Sequence, residues 1–84
     1  MSYSVYLKKS AEKELLSLPP VTHDKIIKHL LALEENPLPK GVKKLRGMEA
    51  YRIRSGDYRI IYQINGKKKI IEIIAIANRK DAYR

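Results

Sequence analysis

The sequence predicts an α+β domain, in which a strand and a hairpin of two helices precede a three-stranded antiparallel meander. Three observations predict this fold: apolar residues recur at helical spacing between residues 21 and 35, two turn signals divide the second half of the chain, and the segments beside those turns alternate or are rich in isoleucine. The order β-α-α-β-β-β favours one mostly antiparallel sheet with both helices packed on one face. A chain of 84 residues is expected to form one domain, residues 1–84.

The first strand and the helix hairpin are assigned to the first half of the chain. Residues 3–7 alternate and are predicted to form a strand. Ser10 is expected to cap the first helix, and Pro19 and Pro20 to end it and start the second. The second helix is predicted over about residues 21–35. Its expected apolar face consists of Ile26, Ile27, Leu30, Leu31 and Leu33.

Three strands are predicted in the second half, over residues 50–54, 58–64 and 67–77. Gly56-Asp57 is expected to form the first turn between them. Asn65-Gly66 is expected to form the second, because Asn-Gly is the strongest short hairpin signal. The last strand is rich in isoleucine, which predicts a central strand covered on much of both faces.

The first turn determines which side chains share a face of the sheet. A two-residue loop places Arg54 opposite Arg59 and Arg52 opposite Ile61, and directly opposed residues of an antiparallel pair lie on the same face. Three arginines are therefore expected on one face, directed away from the helices. The other face is expected to meet the helices with Tyr51, Ile53, Ile60 and Tyr62.

The second turn extends this count to the last strand. A two-residue loop at Asn65-Gly66 places Glu72 opposite Arg59, where the carboxylate is expected to act as a counter-ion or as a base. The same count places Arg79 on the other face, at the end of the strand, where a bulge can redirect a side chain.

The excess of cations predicts a polyanionic partner, which can be RNA, DNA, anionic lipid or an acidic protein. Lys and Arg number 18 and Asp and Glu number 9, which gives a formal net charge of +9. Directly opposed like charges reduce the stability of a sheet, and arginine is suited to bidentate contact with phosphate. The arginine face is therefore expected to bind RNA. The alternative is a solvated face without a ligand. Further RNA contacts are expected from Lys43, Lys44, Arg46 and Lys80, or these are solvated. Tyr83 is expected to stack on a base or to pack on the sheet edge.

Several classes of site lack the residues they need. The absence of cysteine excludes disulfides and thiolate metal sites. His23 and His29 lie about 120° apart around their helix and match neither a metal pair nor a catalytic pair. There is no Gly-rich phosphate loop, Ser-His-Asp set or paired-carboxylate site, so no cofactor and no metal are expected. No signal-peptide pattern and no apolar run of about 18 residues is present, so we expect a cytoplasmic protein without membrane contact.

A resemblance to the RelE branch of the RelE/ParE toxin superfamily rests on the run KKLRGMEAYRIRSGDYRIIYQI, followed by NRKDAYR. The resemblance covers nearly the whole chain, including the order β-α-α-β-β-β. It implies a toxin of a type II toxin–antitoxin system, neutralised by a cognate antitoxin, and the cationic face calls for an acidic or amphipathic segment in that antitoxin. It also implies a ribosome-dependent endoribonuclease that cuts mRNA in the A site without a metal, using the RNA's own 2′-OH as nucleophile and leaving a 2′,3′-cyclic phosphate.

The resemblance also implies which residues carry the chemistry. The two basic positions of the family's first hairpin strand fall on Arg52 and Arg54, and the arginine of its GDYR segment falls on Arg59. The late basic residue falls on Arg79, and the base-stacking tyrosine on Tyr83. These five residues are the expected catalytic set.

The general base is left open by the sequence. Well-studied members of the family have lysines where this chain has Arg52 and Arg54, and one of those lysines is thought to act as the base. Arginine has a pKa above about 12 and is effectively never deprotonated in proteins. Tyr83, Glu72 and the ribosomal RNA are the alternatives.

Two other functions are compatible with the sequence. One is a ParE-like toxin, which inhibits DNA gyrase by binding it and cuts nothing. The other is an inert member whose cations only hold an antitoxin. The arginine face, Tyr83 and the short helices favour the endoribonuclease, whereas the missing lysines leave room for the gyrase inhibitor. For the endoribonuclease, the expected partners are the antitoxin, the ribosome and mRNA.

Overall fold

The computed structural model describes residues 2–47 and 49–78, which contain two helices and five strands. The helices are α1, Lys9–Leu16, and α2, Pro20–Glu35. The strands are β1, Ser4–Leu7; β2, Lys43–Lys44; β3, Tyr51–Ser55; β4, Tyr58–Asn65; and β5, Ile70–Asn78.

All five strands belong to one sheet, in the order β1-β5-β4-β3-β2. β1 runs parallel to β5, and the other neighbours are antiparallel. α1 packs on β5, and α2 packs on β1 and β3. The predicted α+β fold and its order of elements are confirmed. The additional feature is β2, a two-residue edge strand between the helix hairpin and the meander.

The start of α1 differs from the prediction. Lys8 occupies the cap position without a side-chain capping bond, and Ser10 lies within the first turn. The Oγ atom of Ser10 donates instead to the carbonyl oxygen of Ile74, 3.3 Å away. This serine therefore ties the helix to β5. Ala11 and Leu15 are the buried residues of the same helix.

One face of α2 covers the sheet. Ile26, Leu30 and Leu33 are buried, but Leu31 is 57% exposed. Successive residues of an α-helix advance by about 100°, so Leu31 lies about 140° around the axis from Ile26. The expectation that Leu31 joins the apolar face is therefore wrong.

Alternation along the central strands separates the core from solvent. Ile53, Ile60 and Tyr62 are buried on the side of the sheet that meets the helices, which we call the helix face. The opposite side is the open face. Its residues in the described strands include Tyr6, Lys43, Arg52, Arg54, Arg59, Ile61, Gln63, Glu72, Ala75 and Ala77.

The loop between β4 and β5 is longer than predicted. It contains four residues, 66–69, and Asn65 lies opposite Ile70. The Oδ1 atom of Asn65 accepts a hydrogen bond from the N–H of Lys68 at 3.1 Å, and Lys69 adopts a φ of 57°. The asparagine side chain thus stabilises a wider turn than the two-residue Asn-Gly type. β5 consequently begins three residues later than predicted.

This longer loop changes the partner of Glu72. The glutamate lies opposite Gln63, and the residue of β5 opposite Arg59 is Ala77. The predicted pairing of Glu72 with Arg59 is therefore wrong.

A register shift interrupts the pairing of β4 with β5. Tyr62 lies opposite Ile73 and Ile61 opposite Ala75, so Ile74 is an extra residue on β5. Alternation between the two faces changes sense at this residue. Arg79 was assigned to the other face by counting alternate residues along β5, and this counting does not hold beyond Ile74. Arg79 itself lies outside the described residues.

Tyr62 connects the sheet to the segment that follows α2. Its side chain is fully buried, and its hydroxyl donates to the carbonyl oxygen of Pro37 at 2.7 Å. The ring of Tyr51 lies 5.9 Å away, centroid to centroid. Burial, followed by the neighbouring Tyr51 hydroxyl, raises the pKa of Tyr62 to about 12.

Replacing Tyr62 tests this anchor. Tyr62→Phe removes the bond to Pro37 and should lower the free energy of unfolding by about 1 kcal/mol. In the unfolded chain Tyr62 ionises near its ordinary pKa of 10.0, but in the folded chain only near 12, so wild-type stability should fall as pH rises from 10 to 12. Urea titrations at about pH 9 and 11 should show a smaller fall for Tyr62→Phe than for Tyr6→Phe, whose ring is 57% exposed. An equal fall in the two variants contradicts the assignment.

Candidate functional site

The arginines of the open face lie in two rows that the β3–β4 turn aligns. Arg54 lies opposite Arg59 and Arg52 opposite Ile61, so the predicted register is confirmed. Gly56 in the turn adopts a φ of 60°, a left-handed conformation that glycine takes without strain. Arg54 is exposed, and Arg52 and Arg59 are half-buried. Three guanidinium groups therefore lie on one face of the sheet.

The edge strand β2 adds a fourth cation to this face. Lys43 lies opposite Arg52 across the β2–β3 pair. Lys43, Arg52 and Arg54, with Gly41, line a surface pocket of about 210 Å³. We call Lys43, Arg52, Arg54 and Arg59 the cationic cluster.

The backbone on both sides of Lys43 is fixed. The N–H of Val42 donates to the carbonyl of Pro39 at 3.1 Å, and the N–H of Leu45 donates to the carbonyl of Ala50 at 2.8 Å. The side chain of Val42 packs against the core. Lys43 is thus presented from a strand, which positions a functional group better than a loop does.

From the sequence, Lys43 was predicted only to be one of several RNA contacts, without a position beside the arginines. The strand that places it beside Arg52 has two residues, too few for an alternating pattern to be visible. The pairing of Lys43 with Arg52 is therefore a finding of the structure.

Two other predicted RNA contacts lie apart from the cluster. Lys44 is opposite Tyr51, on the helix face, and its Nζ atom is 3.8 Å from Oε2 of Glu49 in an exposed ion pair. Arg46 lines a separate surface pocket of about 400 Å³ with Lys44 and Glu49. The remaining predicted site residues lie outside the described part of the chain: Arg79, Lys80 and Tyr83.

The opposite corner of the open face has a different character. Tyr6, Glu72 and Gln63 lie in one row across β1, β5 and β4, and line a surface pocket of about 500 Å³. Gln63 is four residues from Arg59 along β4, which is about 13 Å of strand. Glu72 is therefore about 13 Å along the sheet from the Arg54–Arg59 row and about 7 Å from the row of Arg52. The open face is cationic at one corner and aromatic, amide and acidic at the other.

The described residues contain neither a metal-ligand cluster nor a membrane-spanning helix. Within residues 2–47 and 49–78, no group of three or more histidine, aspartate or glutamate side chains is arranged to hold a metal ion. No helix in this part of the chain is long and apolar enough to cross a membrane. The Nδ1 atom of His23 lies 3.3 Å from Oδ1 of Asp24.

The cationic cluster suits a phosphodiester. Each guanidinium offers hydrogen-bond donors in a fixed plane and no acceptor, a geometry that matches phosphate oxygens. The fold and this face together define a small basic α+β protein with a cationic sheet face.

Comparison with known sequences assigns this domain to a family. The ParE toxin family of type II toxin–antitoxin systems, parDE, matches residues 5–83. A protein named RelE1 from Methanocaldococcus jannaschii is 35% identical over 88 residues, covering 100% of this chain and 98% of that protein. The mRNA interferase toxin RelE of Escherichia coli K12 is 31% identical over 83 residues, covering 95% and 86%.

Solved structures agree with this assignment. The archaeal RelE–RelB complex of Pyrococcus horikoshii OT3 contains a chain that superposes with a TM-score of 0.84 at 38% identity, covering 94% of this chain and 97% of that one. The RelBE toxin–antitoxin complex of E. coli contains one with a TM-score of 0.80 at 30% identity, covering 92% and 96%. The chain belongs to the RelE/ParE toxin superfamily, in its RelE-like branch, and is a toxin of the RelE type.

Removing one arginine should show how much the repulsion between opposed arginines lowers the stability of the fold. Directly opposed like charges destabilise a sheet pair, so Arg54→Thr should raise the free energy of unfolding by about 0.2 to 1 kcal/mol. The gain should shrink in about 1 M salt, where the Debye length is about 3 Å. Urea unfolding measures both effects, and Lys44→Thr, which removes only an exposed ion pair, is the control. A loss of stability in Arg54→Thr at low salt contradicts the repulsion.

Proposed function

We propose that this toxin is a ribosome-dependent endoribonuclease that cuts mRNA in the ribosomal A site and so stops translation. The observation that carries the proposal is the position of Arg52, Arg54 and Arg59 on one open face. The name of the E. coli relative, mRNA interferase toxin, supports the same class of reaction. A substrate held on the ribosome also implies a cytoplasmic location.

The cationic cluster suits cleavage of RNA by its own 2′-OH. Opposed residues of an antiparallel pair have Cα atoms about 4.5 to 5.5 Å apart, so Arg54 and Arg59 reach a single phosphate together. Phosphoryl transfer is mostly positioning and stabilisation of charge on the phosphate oxygens. Fixed guanidinium donors supply that stabilisation when negative charge develops in the transition state. The reaction leaves a 2′,3′-cyclic phosphate and requires no metal ion.

The shape of the site implies that the ribosome positions the RNA. The pocket of the cluster is about 210 Å³, smaller than the roughly 300 to 1,000 Å³ of pockets that enclose a ligand. We propose that the toxin binds the phosphate backbone while the ribosome holds the nucleotide. Arg79 as a further phosphate contact and Tyr83 as a stacking partner complete the proposed catalytic set. Lys44, Arg46 and Lys80 are proposed contacts to RNA outside the cluster.

A gyrase inhibitor is the second candidate function. The family that matches residues 5–83 is the ParE toxin family, and no lysine stands at position 52 or 54. A protein inhibitor, however, has no need of opposed arginines that reduce the stability of its own sheet. The similarity to proteins named RelE favours the nuclease.

Arg59 is the sharpest test of the nuclease. Removing one transition-state donor typically costs about 10² to 10³ in rate, so Arg59→Ala should lose most single-turnover cleavage of ribosome-bound mRNA. Ribosome binding should persist, because it is distributed over many cations. Lys28→Ala, on the exposed side of α2, is the control and should cut normally.

Induction in cells separates the two candidate functions. Primer extension should detect cuts in frame with the codons after induction of the wild-type toxin, and pulse labelling should show protein synthesis stopping first. Intact mRNA with an early stop in DNA synthesis would instead identify a gyrase inhibitor.

We propose further that a cognate antitoxin covers the open face with an acidic or amphipathic segment. Related toxins are solved as complexes with RelB antitoxins. The net charge of +9 and the cationic cluster favour an acidic contact on this side of the sheet.

The antitoxin contact should depend on salt. If charge dominates the contact, calorimetry should show a clear loss of affinity between about 0.1 and 1 M salt, because exposed charges are screened. Arg54→Thr should weaken the complex and reduce its salt dependence. Equal affinity at both salt concentrations would show that apolar contacts dominate.

A further inference from the structure

Lys43 is the one residue of the cationic cluster that can act as a general base. Arginine cannot lose its proton in a protein, so Arg52, Arg54 and Arg59 supply charge but cannot accept a proton. Glu72 lies in the row of Gln63, about 13 Å of strand from Arg59. Lys43 lines the same pocket as Arg52 and Arg54, and lysine can exist as a neutral amine.

We propose that the Nζ atom of Lys43 is the general base that takes the proton of the attacking 2′-OH. This inference rests on the proposed endoribonuclease function and adds the residue that the arginines leave unassigned. Lys43 stands directly across from Arg52, so a phosphate held by the arginines brings the adjoining ribose within reach of the lysine. The surrounding hydrogen bonds hold its backbone on the sheet.

The charges around Lys43 suit this role. The guanidinium groups of Arg52 and Arg54 face it from β3. Among the described residues no carboxylate forms an ion pair with Lys43, whereas the Nζ atom of the next residue, Lys44, lies 3.8 Å from Oε2 of Glu49. An acidic partner favours the protonated form of an amine. Lys44 therefore has an acidic partner that Lys43 lacks among the described residues.

The proposed step balances as follows. The neutral amine of Lys43 takes the 2′-OH proton as the 2′-oxygen forms a bond to the adjacent phosphorus. The bond from that phosphorus to the 5′-oxygen breaks, and the departing oxygen takes a proton from water. The resulting hydroxide is neutralised when the ammonium group of Lys43 returns its proton to solvent. The products are a 2′,3′-cyclic phosphate and a 5′-hydroxyl.

Lys43→Arg tests the proposal because it retains the positive charge and removes the ability to accept a proton. The single-turnover rate on ribosome-bound mRNA should fall by about 10² to 10⁴, the usual contribution of proton transfer. Ribosome affinity should change little. The wild-type rate should rise with pH, because a protonated amine cannot take the 2′-OH proton, and this rise should be lost in Lys43→Arg. Lys28→Arg, on the exposed side of α2, is the matched control.

Chemical rescue separates proton transfer from structure. The chain has no cysteine, so Lys43→Cys introduces a single thiol. That variant should be slow, and treatment of the isolated toxin with 2-bromoethylamine, which creates a lysine analogue, should restore the rate and its rise with pH. Circular dichroism and urea titration verify that each variant is folded.

The outcomes distinguish the two proposals. If wild-type toxin leaves ribosome-bound mRNA intact, the proposed function fails. If wild-type toxin cuts and Lys43→Arg cuts equally fast with the same pH dependence, only the role of Lys43 fails. A larger loss in Lys44→Arg than in Lys43→Arg also overturns the assignment, as does a modified Lys43→Cys that stays slow.

Discussion

The pairing of β3 with β4 couples the core of this toxin to its cationic face. Side chains on a strand alternate, so the register that buries Ile53 and Ile60 also places Arg54 opposite Arg59 on the other side. A slip of one residue would bury the arginines and expose the isoleucines. The apolar core thus fixes the position of the site, and no separate contact among the arginines is needed.

This coupling allows the cluster to carry unfavourable electrostatics. Opposed arginines repel each other and so reduce the stability of the sheet. This loss is small compared with the stability gained by burying side chains such as Ile60, Tyr62 and Ile73. The sheet can therefore keep cations close together before any ligand arrives. Such preorganisation is useful in catalysis, because fixed charges need not rearrange as the transition state forms. Binding of an anion should then stabilise the folded toxin by removing the repulsion.

The pairing of residues across two strands could be predicted from the sequence where a two-residue turn joins the strands. The two-residue Gly56-Asp57 loop gave the whole β3–β4 register. The next hairpin was found, but its Asn-Gly signal did not reveal that Asn65 would bond to Lys68 and widen the loop to four residues. The extra residue Ile74 then changed the alternation along β5. Errors of this kind accumulate, because each added residue shifts every later partner.

Other features depend on tertiary contacts, which a local sequence pattern does not show. Ser10 matched a helix cap, but a tertiary contact to Ile74 uses its hydroxyl. β2 has two residues, and its pairing depends on where the preceding loop returns to the sheet. The arginine face was therefore predictable from the sequence, whereas the position of Lys43 beside it required the structure.

The two kinds of cation in the cluster differ in what they can contribute to a reaction. Arginine holds its charge at every accessible pH and presents a rigid plane of donors, so it suits a phosphate whose charge changes during the reaction. A lysine can lend the same charge or release it, depending on its protonation state. A cluster made only of arginines would bind a phosphate firmly and leave the 2′-OH without a proton acceptor. In the proposed mechanism, Lys43 on a neighbouring strand, in register with Arg52, combines both properties without disturbing the turn that sets the arginine row.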